Sequence, residues 1–103
     1  MKHLDKNDEW NQFVRLLTSI QSEELMDQML HLFLTINERE YVVDRHKIVK
    51  ALLTTDKTQR KIAEELEVSI AKITVGSNEL KRMPEELLDY FKKQVKKMET
   101  HEK

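Results

Sequence analysis

The residues with the most chemical content lie at positions 59–82, QRKIAEELEVSIAKITVGSNELKR. Arg60, Lys72 and Lys81 are cations there, and Gln59, Ser69, Thr74 and Asn78 supply hydrogen-bond donors and acceptors. Such side chains hold phosphates and read base edges when a scaffold aims them. The apolar spacing supplies a scaffold. Ile62 and Leu66 face inward from a short helix spanning 59–66, and Ala63 is small where a second helix must approach. Val68 plugs the turn 67–69, and Ile73 anchors the second helix. Ile70, Ala71, Lys72 and Thr74 then face outward at the start of that helix. This is the end that enters the major groove in a helix-turn-helix. Ser69 can cap it, leaving amide groups at a helix N-terminus that suit a phosphate. The pattern predicts a DNA-binding helix-turn-helix over residues 59–82. The plainer alternative is a helical hairpin with an apolar contact. One position runs against the pattern: Glu67 stands where such a turn usually has Gly. A left-handed backbone there costs a non-Gly residue roughly 1 kcal/mol.

Other chemistry finds little support. His3, His31, His46 and His101 lack metal-ligand spacing, and no Ser or Glu stands in a recognisable catalytic arrangement. They read as surface or packing residues, so no enzyme activity, metal or cofactor is expected. Cys is absent, which excludes disulfides and Cys-based zinc sites. The net charge of −1 argues against a generic nucleic-acid coat. Its distribution is uneven: residues 1–34 carry −3, from 3 basic and 6 acidic side chains, whereas residues 57–82 carry +2, from 6 basic and 4 acidic ones. That local excess is weak and also fits a mixed solvated surface. The apolar runs fall far short of the roughly 20 residues a membrane span needs. Residues 1–9 have no apolar core and do not read as a signal peptide. The expectation is a cytoplasmic protein with no membrane partner.

Several elements must position these residues. With 103 residues, a single domain over 1–103 is expected. The single Gly and single Pro favour helices. Trp10, Phe13, Val14, Leu16, Leu17 and Ile20 fall at helical spacing after Asn7 or Asp8 as N-cap. Ser22 can cap a second helix in which Leu25, Met26, Met29, Leu30, Leu32, Phe33 and Leu34 are apolar nearly all round. Such a helix must be covered on several sides. A chain this small buries only about two-thirds of its unfolded surface, so a partner subunit is the expected cover. Thr35 and Glu38 have capping-box spacing for a third helix from Ile36 to Leu53, and Thr54 to Lys57 breaks it. Thr58 caps the helix at 59–66. Pro84 is placed at the first position of a last helix, with Glu85 and Glu86 at its start and lysines towards its end. The fold class is all-α: six helices, a helix-turn-helix and no internal repeat.

The stretch Ile73-Thr74-Val75-Gly76-Ser77-Asn78-Glu79-Leu80-Lys81 resembles the bacterial tryptophan operon repressor family. So do Glu9-Trp10 with Phe13, Leu34-Thr35, Glu38-Arg39-Glu40, Arg45, Ile48-Val49 and Thr58-Gln59-Arg60. The similarity runs over about residues 9–90 without an obvious gap. It implies an interlocked homodimer whose two reading heads enter successive major grooves of a palindromic operator. It also implies a small-molecule co-repressor, L-tryptophan, held between dimer core and reading head. Carried over one by one, Gln59, Arg60, Ile70, Ala71, Lys72 and Thr74 come near base edges, and Ser69, Asn78 and Lys81 near phosphates. Arg60 is the candidate for bidentate readout of a guanine.

The implied ligand pocket carries over less completely. Leu32 and Leu34 of the partner subunit would supply a floor of backbone carbonyls, with Thr35 beside them. Arg45, Val49 and Gly76 also match. The family's second arginine, which meets the ligand carboxylate, is Val75 here, and a serine one turn later is Glu79. Positions 75 and 79 are neighbours on one helical face. The changes remove a cation and add an anion where a carboxylate would sit. Either tryptophan is still held through Arg45, or the co-repressor is altered or lost. Two roles stay open for Glu79: pairing with Arg45 across the pocket, or receiving a cationic indole amine that lacks the carboxylate. Three functions stay open: a ligand-regulated repressor, a ligand-independent DNA-binding regulator, and a helical protein-interaction module on the same fold. Intact Gln59, Arg60, Lys72 and Lys81 favour DNA binding.

Overall fold

The computed structural model describes residues 6–102, with side chains from 7 to 100. Expectations resting on His3, His101 and the first five residues lie outside the described residues. The helices are α1 (Lys6–Thr18), α2 (Glu23–Phe33), α3 (Ile36–Thr54), α4 (Gln59–Leu66), α5 (Ile70–Leu80) and α6 (Glu85–Glu102). No strand occurs among the described residues.

Side-chain caps set most of the boundaries. Ser22 Oγ accepts from the Leu25 N–H at 3.1 Å and starts α2. Thr35 and Glu38 form the expected reciprocal box: Thr35 Oγ1 accepts from the Glu38 N–H at 3.1 Å, and Glu38 Oε1 from the Thr35 N–H at 2.9 Å. Thr58 Oγ1 accepts from the Lys61 N–H at 3.1 Å, and Ser69 Oγ from the Lys72 N–H at 3.2 Å. Each cap is worth roughly 0.5–2 kcal/mol. Two boundaries differ from expectation. α1 begins at Lys6, ahead of Asn7 and Asp8, so Asp8 and Glu9 occupy its first turn and complement the helix dipole instead of capping it. Pro84 precedes α6 rather than opening it, and its carbonyl accepts from the N–H groups of Leu87 and Leu88.

The chain divides into two compact units, one ending at Arg39 and the other beginning at Glu40. In the first, Phe13 of α1 meets Phe33 of α2 edge-on at 5.1 Å, and Trp10 lies 5.8 Å from Phe13. α2 has no buried residue; Leu25, Leu32 and Phe33 are exposed. In the second unit, Ile48, Ile62, Ala63 and Ile73 form a buried cluster, with Ala51, Leu52, Leu66 and Val68 packed against it. Burying an isoleucine fully is worth roughly 1.5–3 kcal/mol, so Ile48, Ile62 and Ile73 fasten α3, α4 and α5 together. The inward residues expected of the helix-turn-helix are the ones in this cluster. The sequence did not show that Ile48, Ala51 and Leu52 of α3 are the surface they pack on.

Gly76 is buried at the contact of α5 with α3. A Cβ there would lie 3.0 Å from Ile48 Cγ2 and 3.8 Å from Arg45 Cδ. The missing side chain thus lets two helices approach closely.

Candidate nucleic-acid interface and ligand pocket

The turn between α4 and α5 works with glutamate in the glycine position. Glu67 adopts φ 57° and ψ 45°, the left-handed conformation, and its N–H donates to the carbonyls of Ala63 and Glu64. The Val68 N–H donates to Ala63 O at 3.1 Å. Those bonds satisfy the last carbonyls of α4 and turn the chain into α5.

With the turn, the caps and the apolar cluster in place, the polar side chains are left to solvent. Gln59 and Arg60 are exposed in the first turn of α4, and Ser69, Ile70, Ala71, Lys72 and Thr74 are exposed at the start of α5. Asn78 and Lys81 are exposed further along. Among the described residues Arg60 and Lys81 have no ion-pair partner, so both cations are available to an external anion. The Ser69 cap already occupies the Lys72 N–H, leaving fewer donors at that helix end than the sequence reading supposed. Nearby acids are neutralised locally. Lys57 Nζ lies 2.6 Å from Glu65 Oε1, and Lys61 Nζ lies 3.6 Å from Glu64 and 4.0 Å from Glu65. The hydrogen bond from Lys57, with the charges of Lys57 and Lys61, holds the Glu65 carboxyl below its ordinary value. Glu64 and Glu65 therefore oppose an approaching polyanion less than their number suggests.

The residues expected to form a ligand pocket are only partly brought together. Arg45 and Val49 line a cleft of about 340 Å³ with Tyr41, Val42, His46 and Phe91. Gly76 faces Arg45 and Ile48. Val75 is exposed, and neither it nor Glu79 lines that cleft. The pairing of Glu79 with Arg45, one of the alternatives the sequence left open, is not formed. Glu79 Oε2 lies 3.4 Å from Arg82 Nη1, one turn along the chain, while the Arg45 guanidinium stacks 5.6 Å from the Tyr41 ring. An i,i+3 partner on the same surface reaches Glu79 without crossing to another helix. Leu32, Leu34 and Thr35 lie in the other compact unit, with Leu32 and Thr35 exposed.

Sequence reasoning missed Tyr41 and Asp44. Asp44 Oδ2 lies 3.5 Å from Lys72 Nζ, and the Tyr41 ring 5.6 Å from the same nitrogen. Tyr41, Asp44, Arg45 and Ile48 follow the spacing of one helical face, a signal available from sequence once Ile48 is known to touch the reading head. Two histidines have plain structural roles. His31 contacts the Asp27 carbonyl at 2.8 Å, and His46 packs edge-on against Phe91 at 5.9 Å. Among the described residues no group of His, Asp or Glu is arranged to hold a metal ion, and no helix is long and apolar enough to cross a membrane.

Comparison with known proteins agrees with this architecture. The family model described as Trp repressor protein matches residues 8–96. A Trp operon repressor homolog of Chlamydia trachomatis serovar D is 40% identical over 86 residues, covering 84% of this chain and 92% of that protein. One from Photobacterium profundum is 41% identical over 91 residues, covering 88% of each chain. One from Chlamydia caviae is 42% identical over 83 residues, covering 81% of this chain and 82% of that protein. On this match, and on a six-helix chain with a tight α4–α5 turn, the chain belongs to the Trp repressor family.

Proposed function

We propose that the protein is a cytoplasmic, sequence-specific DNA-binding transcriptional repressor that acts as a homodimer on a palindromic operator. The observation that carries this reading is the packed α4–α5 pair. Ile62, Ala63 and Ile73 are buried with Ile48 of α3, while Gln59, Arg60, Ile70, Ala71, Lys72 and Thr74 are each exposed. Arg60 then reads a base, and Ser69, Asn78 and Lys81 hold phosphates. The single-domain reading of residues 1–103 belongs to the assembled dimer. A salt titration of binding to short duplexes tests the function. Steep salt dependence with sequence preference supports repression; no binding to any duplex would leave the fold serving as a protein-interaction module.

The co-repressor is L-tryptophan or a related indole, bound with Arg45, Val49 and Gly76 and, from the partner subunit, Leu32, Leu34 and Thr35. Val75 and Glu79 favour a second reading, in which the ligand is altered or binding is ligand-independent. Val75 offers no partner for a carboxylate, and Glu79 adds an anion whose exposed pair with Arg82 neutralises it only in part. A lost charge-assisted hydrogen bond costs about 1.5–3 kcal/mol, or on the order of 10–150-fold in affinity. Val75→Arg with Glu79→Ser should therefore raise tryptophan affinity, measured by calorimetry, and make operator binding depend on tryptophan. If the unaltered protein already binds tryptophan as tightly as the double variant, Val75 and Glu79 do not weaken the pocket.

A further inference from the structure

Lys72 lies in the first turn of α5, the part of the reading head that leads into a groove, and it already has partners. Its Nζ is 3.5 Å from Asp44 Oδ2 and 5.6 Å from the centre of the Tyr41 ring, both on α3. Tyr41, Asp44, Arg45, Ile48 and Lys72 together enclose a small gap between the two helices. The start of a helix carries a partial positive charge that disfavours a cation. Asp44 relieves that repulsion, and the electron-rich ring face adds a second attraction.

We propose that Asp44 and Tyr41 form a latch on Lys72 that ties the start of α5 to α3 and competes with DNA for that lysine. The competition rests on the DNA-binding reading above; the tie does not. While paired, Lys72 brings no net charge to a phosphate. To engage one, it leaves a bare carboxylate within the screening distance, about 8 Å at physiological salt. Either way Asp44 opposes DNA. The latch withholds a positive charge that every duplex attracts, so it brakes binding to preferred and random DNA; any base contact that Lys72 makes adds to the loss on the preferred duplex. The Lys72 side chain is 43% exposed and that of Asp44 35%, so the brake has the modest strength of a surface pair.

The test uses the full chain and the variants Asp44→Asn, Asp44→Glu, Lys72→Gln and the Asp44→Asn/Lys72→Gln pair. Each is checked for a cooperative thermal melt, so that folded protein is compared, then titrated with the preferred duplex and a random duplex across a salt series. Asp44→Asn should tighten both duplexes by about two- to fivefold. It should also steepen the salt dependence by up to about 0.9 per reading head, because an unlatched lysine releases a counterion on binding. Asp44→Glu should behave as wild type, and the gain should vanish in the Lys72→Gln background. Equal or weaker binding by Asp44→Asn, or a gain that survives Lys72→Gln, overturns the competition. Without DNA, amide hydrogen exchange in α5 should speed up by about two- to fivefold in Asp44→Asn. Unchanged exchange overturns the latch itself. Failure of the wild type to bind any duplex instead overturns the proposed function, and the exchange result still decides the latch.

Discussion

At the scale of single residues, the cations on the reading head divide by what holds them. Arg60 and Lys81 have no ion-pair partner among the described residues, whereas Lys72 is engaged by Asp44. A bidentate arginine on a guanine distinguishes sequences; a lysine on a phosphate does not. Arg60→Ala should therefore weaken binding to the preferred duplex by about 1–3 kcal/mol and relax preference at one base pair. Lys81→Ala should weaken all duplexes alike and flatten the salt slope by about one unit. Matching losses on preferred and random DNA for both variants would show that the roles are wrongly divided. Gly76 presents a different residue-scale constraint. Replacing glycine by alanine inside a helix ordinarily gains up to about 1 kcal/mol. Here the new Cβ would sit 3.0 Å from Ile48 Cγ2. Ile48 is 1% exposed and β-branched, so its χ1 cannot swing the methyl away. Overpacking costs about 1–3 kcal/mol, so Gly76→Ala should lose on the order of 1 kcal/mol net, or roughly 4–8 °C in melting temperature. A higher melting temperature would mean that α3 and α5 separate more easily than their packing implies.

At the scale of elements, the left-handed turn is where the chain gives up stability. Glu67 is exposed at φ 57° and ψ 45°, and among the described residues its side chain has no ion-pair partner. Glu67→Gly should relieve the strain without removing a contact. The expected gain is up to about 1 kcal/mol, reduced by the greater freedom of glycine in the unfolded chain. Thermal unfolding checks it, and a lowered melting temperature would show that the glutamate contributes something the turn geometry does not reveal. The turn itself was legible in the sequence, as were the caps at Ser22, Thr58 and Ser69 and the Thr35–Glu38 box. Each depends on residues within three or four positions of one another, so spacing alone carries it. The inward set Ile62, Ala63, Leu66, Val68 and Ile73 was legible for the same reason. Contacts between distant elements were not. Asp44 and Lys72 are 28 residues apart, and nothing local marks them as partners. The sequence left open that Glu79 crosses to Arg45, but Arg82 stands one turn away on its own surface. α3 gave few cues because its apolar residues lie on several faces: Ile48 is buried, while Ile36, Val42 and Val43 are exposed.

At the scale of the whole molecule, these exposed apolar side chains bear on assembly. Leu16, Leu25, Leu32, Phe33, Ile36, Val42 and Val43 are each at least 38% exposed within one chain. Single exposed leucines are ordinary, but this many on three consecutive helices are what the proposed dimer would need to cover. In the proposed dimer, such cover would also account for an α2 this apolar that has no buried residue of its own. Leu32 separates the monomer from the dimer most sharply. It is 74% exposed and lies in the last turn of α2, where a lysine complements the negative end of the helix dipole. In a monomer, Leu32→Lys should therefore be neutral or slightly stabilising. In a dimer it places a charge in a dry interface, a penalty of several kcal/mol unless the side chain finds water or a partner. The expected result is a wild type that sediments as a dimer at micromolar concentration. Leu32→Lys should shift towards monomer, and its melting temperature should fall and depend more strongly on protein concentration. A wild type that sediments as a well-folded monomer, with Leu32→Lys melting at or above it, would remove the dimer from the proposed function. It would leave each reading head to act on its own half-site.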